Sequence, residues 1–151
     1  MNKNNQSGFT LIEILVVIGI IAILAAVVLI AINPARQFAQ ARDAERHSEL
    51  NSILNAIGQK LADSKGIFAD CLAGITNATS TIIMSGTAAA GEVNLSCLAP
   101  TYMSALPVDP SGPTAPSTGY KVKQGASGRI TVIADITEPN IPRTTIIKIT
   151  R

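Results

Sequence analysis

Apolar positions fall into distinct regimes along the chain. Residues 9–32 are apolar almost throughout, interrupted only by Thr10, Glu13 and Gly19. Downstream, Leu50, Ile53, Leu54, Ile57 and Leu61 recur at spacings of three and four, the period of one helix face. Towards the end, Ile130, Val132, Ala134 and Ile136 alternate with Thr131, Ile133 and Asp135, the period of a strand. The first regime predicts a helix of roughly 36 Å at ~1.5 Å per residue, enough to cross a bilayer core of about 30 Å. That is longer than the ~7–15-residue apolar core of a secretory signal peptide.

The second regime predicts a helix over residues 35–62, free of proline and rich in alanine. Arg42, Asp43, Glu45, Arg46, Glu49 and Lys60 are expected on its other faces, with opposite-charge pairs Arg42–Glu45 and Arg46–Glu49. His47 falls on the stripe, where it is expected to pack at the boundary of the core. It is the only histidine, which excludes a metal site built on several imidazoles. Gly66 is the expected stop signal. Residues 66–98 form a small-residue-rich connection, with short strands expected over 79–84 and 92–96 around a turn at 85–91. Residues 99–119, rich in Pro, Ser, Thr and Gly, read as a loop. Strands are expected over 120–123, 129–136 and 144–150, joined by turns at 124–128 and 138–142. An antiparallel meander over the helical stripe follows, giving an α+β fold: a long N-terminal helix packed on a small antiparallel sheet.

Composition refines this picture. With no Trp, two Tyr and three Phe, the core must rest on Ile, Leu, Val and Ala. A formal charge of +2 is too balanced to imply nucleic acid as an obligate partner. Cys71 and Cys97 form no C-x-x-C pair. Outside the cytoplasm a disulfide is the default for them, with two unpaired thiols as the alternative. Such a bridge would close a loop of about 26 residues, worth roughly 3–4 kcal/mol by chain entropy. The triplets Asn77-Ala78-Thr79 and Asn94-Leu95-Ser96 match a glycosylation pattern that is common by chance, and no role is assigned to them. No nucleophile–base pair, phosphate loop or H-E-x-x-H stands in the sequence, so an enzyme is not expected.

Glu13 carries the functional signal. A carboxylate near the start of a membrane helix is costly and requires a partner. No Lys, Arg or His occurs from residue 4 to residue 35. Cleavage after Gly8 would create the missing cation, a free amine on Phe9, four residues and one helical turn from Glu13. Gly8-Phe9-Thr10-Leu11-Ile12-Glu13 and the apolar run that follows resemble the N-terminus of type IV pilins and type II secretion pseudopilins. The resemblance covers about 25 residues. It implies a leader at 1–8, cleavage between Gly8 and Phe9 by a prepilin peptidase, N-methylation of Phe9, and pairing of Glu13 with the amine of a neighbouring subunit.

The remaining organisation follows as an assembly and membrane helix at 9–33, an amphipathic helix at 34–65, a connection at 66–98, and a loop with sheet at 99–151. The proline that type IV pilins often carry one turn earlier is Ile30 here. Pro34 is the nearest proline, so a helix kink is expected near residues 30–33, with a simple membrane exit as the alternative. Leu106-Pro107-Val108-Asp109-Pro110-Ser111-Gly112 resembles the Pro-x-Asp-Pro-x-Gly loop of the major pseudopilins, which helps bind calcium in that family. Asp109 is the only acidic residue in the segment, and a rigid Pro-set turn is favoured over a metal site. No cofactor is expected.

The function expected from the resemblance is a structural subunit of a type IV pilus. The alternatives are a type II secretion pseudopilin and a bitopic membrane-anchored binding protein. The implied partners are further copies in a helical filament, the cytoplasmic membrane, the peptidase and the pilus assembly machinery. The precursor would sit in the cytoplasmic membrane and the filament outside the cytoplasm.

Overall fold

A computed structural model describes residues 8–75, 80–136, 138 and 146–151. The chain divides into two compact units, Met1–Gln37 and Phe38–Arg151.

In the first unit, helix α1 spans Leu11–Ile32. Thr10 caps it in extended conformation and accepts from the Glu13 backbone N–H. Every described residue from position 8 to 38 is exposed, so this apolar helix has no intramolecular face to bury. It is long and apolar enough to cross a membrane. The helix runs without a break through Ile30 and stops at Asn33, whose φ of 46° is left-handed. Pro34 has no N–H to give Ile30, and the residue before a proline is pushed off right-handed helical geometry. Asn33 then serves the next helix, α2 (Pro34–Asp63): its Oδ1 accepts from the Arg36 N–H at 3.4 Å. Pro34 occupies the first helical position, where a missing donor costs nothing.

The second unit packs the rest of α2 on a five-stranded sheet. The strands are β1 (Thr81–Met84), β2 (Glu92–Asn94), β3 (Ser117–Gln124), β4 (Ile130–Ala134) and β5 (Ile147–Thr150), in the order β2-β1-β3-β4-β5. β1–β3, β3–β4 and β4–β5 are antiparallel, as the meander predicts. β1 and β2 are parallel, so the sheet is mixed. Parallel neighbours generally need a long crossover. These strands are so short that residues 85–91 suffice, turned back by Gly91 at φ 85° and by the Ala89 N–H bonded to the Glu92 carboxylate at 2.8 Å.

Leu50, Ile53, Leu54 and Ile57 of α2 meet Ile83, Val93, Tyr120, Val122, Val132 and Ala134 of the sheet in one core. Leu72, Ile75, Leu95 and Leu98 close it from the connection. Two 3₁₀ turns, Asp70–Gly74 and Ser96–Leu98, carry Cys71 and Cys97, which are bridged with Cα atoms 6.2 Å apart. Gly74 lies tight against β2: a Cβ there would meet Val93 Cγ2 at 2.8 Å.

Two readings of α2 are corrected. His47 is exposed rather than at the core boundary, and the buried position is its neighbour Arg46. The pairs Arg42–Glu45 and Arg46–Glu49 are replaced by long-range partners. The stop stands at Gly66 as expected, at φ 81°, and is entered through Lys65, which is left-handed too at φ 54°. Gly66 donates to the Leu61 carbonyl at 2.8 Å and Lys65 to that of Ala62 at 3.1 Å, the paired bonds of a Schellman end. In β4 both faces are nearly covered, so the alternation there is one of degree. The leader up to Ser7, the triplet at 77–79 and most of the turn at 138–142 lie outside the described residues.

Candidate functional site

The first site is the start of α1. Glu13 is the third residue of the helix, and its Oε2 accepts from both the Thr10 N–H and the Thr10 hydroxyl, each at 2.7 Å. The reciprocal bond from the Glu13 N–H to Thr10 Oγ1 completes a capping box. The uncleaved chain therefore gives this carboxylate a local partner. It also fixes the carboxylate against the N-terminal turn, where the helix dipole favours negative charge. Gly8 and Phe9 are exposed and outside the helix, so the bond between them is accessible. A Cβ added at Gly8 would meet nothing within 4 Å, so intramolecular crowding gives no reason for a glycine there.

The second site is a buried charge cluster in the globular unit. Arg46 has no exposed surface. Its Nε donates to Asp109 Oδ2 at 2.7 Å and its Nη2 to Asp109 Oδ1 at 3.0 Å. Nη2 also donates to Ser111 Oγ at 3.0 Å, while Nη1 lies 2.8 Å from Glu138 Oε1 and 3.4 Å from Asp43 Oδ1. Five N–H groups thus face five side-chain oxygens. Arg42 adds a two-pronged pair to Glu138, at 2.9 and 2.6 Å. The Ser111 hydroxyl in turn donates to Glu138 Oε1 at 3.1 Å. The Arg42 guanidinium, against some desolvation and with help from Arg46, holds the Glu138 carboxyl down at about 2. Hydrogen bonding to Asp109 holds Arg46 above the ordinary arginine value in spite of burial.

Asp109 is fixed from the other side too. Its N–H donates to the Thr118 carbonyl at 2.9 Å, and its Oδ1 accepts from the Ser111 N–H at 2.9 Å. A Cβ at Gly112 would come within 2.7 Å of the Asp109 Cβ, and one at Gly119 within 3.0 Å. The Pro-x-Asp-Pro-x-Gly segment is therefore a rigid turn clamped to α2. Calcium, implied by the pseudopilin resemblance, does not fit here. Both oxygens of Asp109 are engaged by a cation already, and no group of three or more His, Cys, Asp or Glu suited to a metal ion occurs among the described residues.

Tyr120, buried in β3, donates its hydroxyl to Glu49 of α2. Burial, then this bond, raises the tyrosine above its ordinary value. Burial raises Glu49 as well, against the tyrosine bond.

Sequence reasoning singled out Gly8, Phe9 and Glu13, six residues end to end at the start of α1, but missed Thr10, the residue bonded to Glu13. It singled out Asp109 but missed Arg46, Arg42 and Glu138. The signal was present: Arg46 precedes Leu50, Ile53 and Ile57 by four, seven and eleven, on the same face.

No curated protein and no solved structure gives a significant match to the chain. Among protein families, residues 3–29 match the prokaryotic N-terminal methylation motif. That segment is similar to the prepilin leader and N-terminus of type IV pilins and pseudopilins.

Proposed function

We propose that the chain is a structural subunit of a type IV pilus, cut after Gly8, N-methylated on Phe9 and polymerised through α1. The observation that carries this reading is Glu13 within the matched motif, on a helix that is apolar and exposed along its whole length. Such a helix belongs in lipid before assembly and among other copies after it. Cleavage would put a new amine one residue before Thr10, next to a carboxylate that the capping box already aims at the helix start. In the polymer the amine of an incoming subunit exchanges with Thr10 as the partner of Glu13, and the charge is no longer alone. Small residues Gly19, Ala22, Ala25 and Ala26 suit close helix packing.

A type II secretion pseudopilin is the second reading, favoured by the Pro107–Gly112 turn. The Cys71–Cys97 bridge leans towards the pilus. A bitopic anchored binding protein would use Glu13 only as part of the cap of α1. Intact mass and N-terminal sequencing of the chain from its native membrane test the reading. A chain beginning at Phe9 with one added methyl is expected; one retaining the leader would overturn it. Recovery in the sheared surface fraction would separate a pilus from a periplasmic pseudopilus.

A further inference from the structure

We propose that Arg46 is a built-in structural cation, holding the 107–112 turn and Glu138 on α2 in place of a divalent ion, so that this domain folds independently of calcium. The inference stands apart from the polymer reading. The Pro-x-Asp-Pro-x-Gly segment needs a positive centre next to Asp109, because a buried carboxylate without one is strongly disfavoured. That centre is supplied by the chain itself. Arg46 has no exposed surface, and its side chain is ringed by Asp109 Oδ1 and Oδ2, Glu138 Oε1, Ser111 Oγ and Asp43 Oδ1. Five oxygens from four residues converge on this point, four of them from carboxylates. Here the planar fork of a guanidinium fills it, with one N–H for each oxygen.

Ser111 is the residue that makes the substitution work. Its hydroxyl accepts from Arg46 and donates to Glu138, so it joins the two carboxylate-bearing segments through the cation. A large side chain there would offer neither bond. Asp43, one turn before Arg46, and Arg42, paired with Glu138, complete the set from the helix side.

The test uses the full-length chain in detergent, with thermal unfolding of the globular unit followed by circular dichroism. For the wild type, Tm is expected to be the same in millimolar calcium and in EDTA. Arg46→Ala is expected to lower Tm by about 15 °C or more, since it leaves the buried Asp109 carboxylate without its cation. Its Tm should then rise with calcium, and with millimolar methylguanidinium, neither of which moves the wild type or Arg42→Ala. Arg46→Lys should lose less and stay unresponsive to calcium, because its ammonium still occupies the ring. Should Arg46→Ala not fold alone, refolding in calcium or methylguanidinium gives the same reading. Failure of both ligands to restore it would overturn the proposal. So would a wild-type Tm that rises with calcium, or an Arg46→Lys variant that does.

Discussion

Burying one guanidinium costs several kcal/mol in lost hydration, and only a full set of acceptors offsets it. Arg46 has that set, which fixes how the domain responds to acid. Glu138 titrates far lower folded than unfolded, so its contribution is present above its ordinary range. It is lost as pH falls from about 4.5 to about 2. Glu49 has the opposite sign. Burial raises it, so the folded state gains as the pH falls through its raised value towards the ordinary one. Acidification from neutral is therefore expected to stabilise the domain slightly first and destabilise it steeply below about pH 4.5, the ordinary glutamate value. Tm measured across pH checks this, and Glu49→Gln should remove the early rise while keeping the late fall. At this scale the sequence was least legible. Charge alone suggests that a helix arginine faces water, and its partners Asp109 and Glu138 lie 63 and 92 positions away. Long-range pairing of that kind leaves no local period to read.

Helices and strands were far more legible, because each has a period and punctuation of its own. The stripe from Leu50 to Ile57 became the core face of α2, and the alternating Val132 and Ala134 became the core side of β4. What escaped was the geometry at ends. Lys65 holds a left-handed conformation that costs a side chain about 1–2 kcal/mol, and it is exposed. Lys65→Gly is expected to stabilise the domain by about 0.5–1 kcal/mol, since glycine adopts that φ freely but loses more entropy on folding. Urea denaturation of the two proteins measures it. Gly74→Ala should do the reverse, by about 1–3 kcal/mol, because its Cβ would press on Val93 and push β2 away. The parallel pairing of β1 and β2 was illegible for a related reason: direction depends on how the 85–91 turn folds back, and residue pattern does not encode it.

The chain as a whole joins a helix that buries nothing in the monomer to a domain with a closed core of its own. The two units should respond separately to mutation. Glu13→Val leaves the core untouched, so the unfolding of the globular unit should be unchanged while filament recovery from cells falls at least tenfold; wild-type yield would remove Glu13 from assembly. Replacing Cys71 and Cys97 together by serine should cost the globular unit about 2–4 kcal/mol by freeing its unfolded chain, and leave the first unit's membrane insertion as it was. The helix start was readable from its local motif, except for the capping box between Thr10 and Glu13. The domain's charged interior was not.

The bridge has one more consequence. Cys71 and Cys97 bracket β1, β2 and the turn between them. A protease that nicks this turn leaves two pieces still tied by sulfur, and β1 remains in the sheet between β2 and β3. Damage at that site sheds no mass from the protein. It shows only under reducing conditions, as two bands where a non-reducing gel has one.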